Sequence, residues 1–301
     1  GPWAKGFRNS YHISLSAAGN SLSAASYCKL KYMVEAQDGA CSGWDYTSAS
    51  SYITLSFWFQ CSTNQTFYGR LETDDGTAQN YPFSFTASGN NTWTKITKTI
   101  PGHANLTINN DNGVGLGLNF SLFSGADRTA SGVALDTWAA YASGTRYPDQ
   151  ANTWLTAGSS TFEITGIQLE VGSVATPFEH RSYGEEHLRC ARYYQEQQGG
   201  SDVFMYAAKA QGTTTADIGV GLVVPLRASP TVVCSAHRLF HSDGVGYSNS
   251  STAPTVVQWD ANHSIHSATI ALNAGGHSSV ANNECCTWAP TSAALTFDSE
   301  L

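Results

Sequence analysis

The strongest constraint in this chain is an apolar residue at every second position. Across Val114–Leu122, Val114, Leu116, Leu118, Phe120 and Leu122 share one parity, against Gly115, Gly117, Asn119 and Ser121. Across Tyr52–Gln60, Ile53, Leu55, Phe57 and Phe59 alternate with Tyr52, Thr54, Ser56 and Trp58. Successive side chains of a strand point to opposite faces, so each run predicts a strand with one buried face. A one-residue slip would turn the whole apolar set outward, which fixes the register. Thr92–Ile100 reads the same way until Pro101-Gly102 ends it. Turn chemistry separates the runs at Asp74-Asp75-Gly76, at Gly89-Asn90-Asn91 and at 109–113.

Composition points the same way. Charged residues make up 13% of the 301 positions, beside 28 Gly, 14 Tyr, 13 Phe and 8 Trp. Exposed helices are built from Glu, Lys and Arg, and disorder needs few aromatics, so an all-β protein remains. The formal net charge is −8 and no segment is basic, so no nucleic-acid partner is expected. No apolar run approaches the ~20 residues of a membrane helix, so no membrane insertion is expected. The seven cysteines (28, 41, 61, 190, 234, 285, 286) lack metal spacing and are expected to be buried, reduced thiols.

In Thr161–Val171 the alternation changes phase after Thr165-Gly166, and a β-bulge at the glycine would return Phe162, Ile164, Ile167, Leu169 and Val171 to one face. Residues 126–156 break the rhythm with Trp138, Tyr141, Tyr147 and Trp154 among Asp136, Asp149, Gln150 and Asn152, as functional or interface segments do. Residues 182–197 give the helical signal, opened by a Ser182/Glu185 capping box and closed by Gly199-Gly200. Strand patterns resume at Ile218–Val224, Thr231–Ala236, Thr255–Trp259, Ile265–Leu272 and Ala293–Phe297. The organisation expected is an N-terminal β-sandwich over 1–181, a short connecting helix over 182–198 and a small C-terminal β-sandwich over 199–301.

Thr165-Gly-Ile-Gln-Leu-Glu-Val-Gly172, then Ala175-Thr-Pro-Phe-Glu179 and Arg181, resemble a signature of bacteriophage tail-fibre and tail-spike proteins. Cys190-Ala-Arg-Tyr-Tyr194 is similar to the next segment of those proteins, and Arg227-Ala-Ser-Pro-Thr231 to a strand of phage tail C-terminal domains. The resemblance spans roughly 30–240. It implies a carbohydrate-binding-module-like jelly roll, a homotrimer, other phage tail proteins as partners, and a place in the virion after assembly in the host cytoplasm. It further implies attachment to host surface polysaccharide or lipopolysaccharide, with the C-terminal domain over 199–301 as the receptor-binding part that meets the host. The residues themselves explain part of the signature. Thr176-Pro177 forces an extended exit from the strand, Phe178 can plug the sandwich end, and Glu179 and Arg181 can pair with each other or with neighbouring loops.

Hydrolysis of a glycan needs two apposed carboxylates. Asp74-Asp75 lies in a turn and Glu163 and Glu170 on a structural strand, so no catalytic residue is assigned and a non-enzymatic binder is expected. A tail-spike depolymerase and a structural spacer are the alternatives. Trp44, Trp58, Trp93 and Trp288 are read as core. Glycan binding asks for aromatic rings beside hydroxyl-satisfying polar groups. Two regions qualify: Trp138, Tyr141 and Tyr147 in the long loop, and His237, Arg238, His241, Asp243, Tyr247, Trp259 and Asp260 in the C-terminal domain. No cofactor or metal is assigned. The pairs His241/Asp243 and His263/His266 could coordinate a metal, the second only from a loop since i and i+3 of a strand face opposite sides, and 109–113 lacks the acids of a dedicated calcium site.

Overall fold

The computed structural model describes residues 1–19, 21–197, 206–234, 236–240, 247–258, 269–277, 285–290 and 294–300. They divide into two units, Gly1–Glu179 and His180–Glu300. The first contains strands β1 (Tyr11–Leu15), β2 (Tyr27–Glu35), β3 (Tyr52–Cys61), β4 (Asn64–Thr73), β5 (Gln79–Ser88), β6 (Thr94–Pro101), β7 (Val114–Ser124), β8 (Ala139–Ala140) and β9 (Ser160–Val171). One sheet runs β1-β9-β3-β6 and the other β2-β7-β4-β5-β8. With the short β8 set aside, these are strands first, eighth, third and sixth facing second, seventh, fourth and fifth. That antiparallel order is a jelly roll.

The alternating apolar residues meet between the sheets. Phe57 stands edge-on to Phe85 and Phe120, with centroids 5.3 and 5.0 Å apart, and Phe59 meets Phe85 at 5.1 Å. Each such ring pair adds about 0.5–1.5 kcal/mol beyond the area it buries. The expected bulge is present: β9 slips against β3 between Ser56 and Trp58, and Gly166 takes a φ of 59°. A Cβ there would stand 2.2 Å from the Phe7 ring, so only glycine fits. Phe162, Ile164 and Leu169 consequently face the core, whereas Ile167, inside the bulge, and Val171, at the strand end, stay exposed.

The strand-exit signature is architectural. Thr176 donates its hydroxyl to Glu170 Oε2 at 2.6 Å and its amide to Oε1 at 2.9 Å, and the Glu179 amide donates to Gln168 Oε1 at 2.9 Å. Phe178 packs edge-on against Phe7 at 5.0 Å. Arg181 pairs with Glu186 at 3.3 Å rather than with Glu179.

In the second unit a helix (Tyr183–Ala191) precedes β10 (Tyr194–Gln197), β11 (Tyr206–Ala210), β12 (Ala216–Gly221), β13 (Thr231–Val233), β14 (His237–Phe240), β15 (Tyr247–Ser250), β16 (Thr255–Gln258), β17 (Thr269–Ala274), β18 (Cys285–Pro290) and β19 (Leu295–Asp298). Ser182 Oγ accepts the Glu185 amide at 3.2 Å, but the Glu185 carboxylate turns to Arg189 at 3.0 Å, so the capping box is half made. The helix ends earlier than its pattern suggests, because 194–197 is drawn into pairing with β19. Gln195 secures that strand, donating to the Val224 carbonyl and accepting the Val223 amide, both at 2.8 Å. Sheets β15-β14-β18-β11-β12-β17-β16 and β10-β19-β13 share a core holding Leu239, Ile270, Leu272, Trp288, Leu295 and Phe297. Arg227 donates to the carbonyls of Ser299 at 2.9 Å and Glu300 at 3.1 Å, tying the last strand in place.

Among the described residues no helix is long and apolar enough to cross a membrane. The cysteines are free thiols, but Cys41, Cys190 and Cys285 are exposed rather than buried, since they lie in turns, on the helix surface and at a strand start.

Gly69 lies opposite Phe83, whose ring atoms come within 2.2 Å of where a Cβ would stand. Gly69→Ala is therefore expected to destabilise the first unit by about 1–3 kcal/mol through overpacking. Urea denaturation checks this, and Phe83→Leu in the same chain should restore part of the loss.

Candidate functional site

The jelly roll leaves one face of its β2-β7-β4-β5 sheet turned away from the core, and register decides what stands on it. Lys31 lies opposite Asn119, Asn119 opposite Arg70, and Arg70 opposite Pro82. One row over come Met33, Gly117, Glu72 and Asn80, and on the other side Lys29, Ser121, Tyr68 and Ser84. These rows carry polar and charged groups where the opposite parity carries phenylalanine and leucine.

The long irregular segment folds over this face. Its β8 residues pair with Gln79 and Asn80, and the Asp136 amide donates to the Pro82 carbonyl at 2.8 Å. Gln150 donates to the Ser121 carbonyl at 2.8 Å and accepts the Ser121 hydroxyl at 2.9 Å. Asn80 donates to the Arg146 carbonyl at 3.1 Å, and Trp154 takes Gln65 Oε1 at its backbone amide. The segment thus packs on its own chain.

Beneath it lies a buried polar floor. Arg70, 4% exposed, pairs closely with Glu72 and donates to Asn80 Oδ1 and to the Tyr147 hydroxyl, both at 3.2 Å. Glu72 also receives the Lys31 ammonium at 3.3 Å and the Asn119 amide at 3.1 Å. Among the described residues the Asn119 side-chain Oδ1 is buried with no hydrogen-bond partner. Rings of Tyr141 and Tyr147 lie near the Arg70 guanidinium at 5.5 and 5.8 Å, and Arg146 approaches the Tyr141 ring at 5.4 Å. Tyr68, Tyr141, Arg146 and Gln150 are half-buried, while Lys29 is exposed, so they form a rim around the floor.

The electrostatics follow. Burial pushes the Glu72 carboxyl up, but Arg70, the Asn119 amide and Lys31 outweigh it and hold it below the ordinary carboxylate range. Burial pushes the Tyr147 hydroxyl up against the pull of Arg70, so it stays protonated. A buried ion pair contributes little net stability compared with apolar residues of the same volume. Folding alone does not call for charge here.

The residues singled out from the sequence divide sharply. Trp138 is buried, its ring 5.2 Å from Tyr81 and its Nε1 donating to the Pro101 carbonyl at 2.7 Å, so it is no binding platform. Tyr147 is buried too and serves Arg70; Trp154 is fully enclosed between Phe67 and Phe162. Tyr141 keeps part of its ring in solvent, with its hydroxyl accepting Arg146 Nε at 2.7 Å. His237 is fully buried, because its parity on β14 is that of Leu239; its Nε2 contacts the Thr252 carbonyl at 2.7 Å and its ring lies 5.3 Å from Trp288. Burial lowers the His237 pKa against the effect of that hydrogen bond. Arg238 and Tyr247 remain on the surface together, the guanidinium 4.4 Å over the ring. His241, Asp243, Trp259 and Asp260, with Asn262, His263 and His266, lie outside the described residues. Of the tryptophans read as core, Trp44 and Trp288 are buried, whereas Trp58 and Trp93 are half-buried. At 109–113, Asn109 donates from its amide and side chain to Asp75 at 2.8 and 2.7 Å, a tied turn.

Sequence reading missed the floor. Arg70, Glu72, Asn80 and Tyr68 sit on β4 and β5, whose alternation is blurred by Gly69 in a core position and by charge at buried ones. The detectable signal is the spacing itself: Tyr68, Arg70 and Glu72 share one parity.

No protein-family model matches the chain, and no curated protein matches it either. Among solved structures, the Macrobrachium rosenbergii nodavirus chain aligns over 96% of this chain and 95% of its own at 9% identity and a TM-score of 0.15, a likeness too slight to carry an argument.

Because the native carboxyl of Glu72 titrates below its unfolded value, its ionised form stabilises the first unit fully above about pH 4.3, and this is lost as pH falls through the lowered native value. Melting temperature measured against pH should therefore fall more steeply in this acid range for the wild type than for Glu72→Gln. Parallel curves would contradict the assignment.

Proposed function

We propose that this chain belongs to a bacteriophage tail fibre or spike and holds the virion to a host surface glycan without altering a covalent bond. In this reading the contact surface is the rim that the long loop and the outer face of the β2-β7-β4-β5 sheet leave in solvent. The observation that supports it most is the buried Arg70–Glu72–Asn119 floor, rimmed by Tyr68, Tyr141, Arg146 and Gln150. The floor holds the rim in place, and the rim's half-exposed Tyr68 and Tyr141 rings with the Arg146 and Gln150 side chains offer what a pyranose needs: a flat apolar surface beside oriented polar groups. The resemblance across 162–194 supplies the virion context, and the homotrimer it implies would repeat the site and raise avidity. Host polysaccharide or lipopolysaccharide is the partner, alongside other tail proteins.

A depolymerase is the alternative reading. The half-buried Arg238 stacked on the exposed Tyr247 ring offers a second binding surface.

An array of bacterial polysaccharides and lipopolysaccharides tests these together. Tyr68→Ala is expected to weaken the best binder about tenfold while leaving the melting temperature close to wild type. Loss in Tyr247→Ala alone would move the contact to the second unit, and new reducing ends would establish cleavage. Retention of no glycan would leave the spacer alternative.

A further inference from the structure

We propose that the outer face of the β2-β7-β4-β5 sheet selects saccharides that carry an anionic group, which would lie between Lys29 on one side and Arg146 on the other. The inference rests on reading this face as a glycan site and adds the chemical class of the glycan.

The chain as a whole is acidic, with 15 Lys and Arg against 23 Asp and Glu, yet four cations gather on this face. Lys29, Lys31, Arg70 and Arg146 converge there through register and through the long loop. Glu72 is the carboxylate among them, already shared by Arg70 and Lys31, and Asp74 adds a second at the strand end. Lys29 and Arg146 form no ion pair among the described residues; Arg146 bonds the Tyr141 hydroxyl, and the Lys29 ammonium lies 5.6 Å over the Tyr27 ring.

The cations are also close enough to feel one another. Burial lowers the Lys29 pKa, and Lys31, Arg70 and Arg146 lower it further, against Glu72. Like charges held together on a rigid sheet repel, and an incoming anion relieves that repulsion where a neutral sugar does not. Gln150, half-buried and bonded to Ser121 in the same row as Lys29, adds a side-chain amide at the rim. Tyr68, in the same row as Lys29, supplies the ring.

The test uses the intact chain and oligosaccharides in matched sets: a neutral backbone, and the same backbone bearing a uronate carboxylate, a phosphate or a sulfate. Affinities are read by titration calorimetry in about 50 mM and about 500 mM NaCl. The expectation is at least about tenfold tighter binding of an anionic member than of its neutral counterpart, with the gap narrowing at high salt. Which anion wins separates carboxylate from phosphate and sulfate as the group recognised. In Lys29→Gln/Arg146→Gln, both rim positions of which are accessible, the anionic member is expected to fall to the affinity of its neutral counterpart, with the melting temperature retained. Equal binding of neutral and anionic members would overturn the anion preference and leave glycan recognition standing. Binding of no member would overturn both. Equal affinity for dextran sulfate or single-stranded DNA would reveal only unspecific charge attraction and overturn it as well.

Discussion

The central strands of the five-stranded sheet are covered on both sides, and most of the distinctive features of this protein stem from that constraint. On one side Phe67, Leu71, Phe83 and Phe85 pack against the β3 and β9 phenylalanines. On the other, the chain's own long loop closes over Arg70, Glu72 and Asn119. A charge in that position has lost most of its water and must be satisfied by neighbours. Arg70 and Glu72 satisfy each other, and Lys31, Asn80, Asn119 and Tyr147 complete the set, with the Asn119 Oδ1 unpartnered among the described residues.

The long loop thus has a different part from that suggested by its aromatic content. Its tryptophans are anchors. Trp138 clips the loop to β6 through the Pro101 carbonyl, and Trp154 fills the end of the core. With those two rings fixed, Tyr141, Arg146, Tyr147 and Gln150 are delivered over the sheet face at set distances from Arg70 and Ser121. A loop pinned at both ends by buried rings is a precise way to place a rim over a rigid sheet. The second unit repeats the lesson on a smaller scale: His237 looks like a surface ligand by type but is core by parity, while Arg238, one residue on, stays at the surface against Tyr247.

Much of the frame was legible from alternation alone. The faces of β3 and β7, the end of β6 at Pro101 and the bulge at Gly166 all follow from which residues can share a side. The helix was legible at its start, where Ser182 caps it, and not at its end, where a long-range partner at 295–298 claims the chain. Tyr141, Tyr147, Arg238 and Tyr247 were flagged by residue type, but type could not tell a packed ring from a presented one. The floor on β4 and β5 was hidden because buried charge reads, in one dimension, as solvated charge.

What the sequence determined by itself is therefore local and periodic: strands, their inward faces, their turns and an all-β sandwich. Period-two patterning acts between neighbours and needs no distant partner. What only the tertiary structure decided is which polar residues lose their water. Arg70 and Glu72 become a floor, and Trp138 and His237 become core, because segments far apart in the chain close over them. Burial is a property of the whole packed assembly, and it alone separates a side chain that holds the fold from one that meets a ligand.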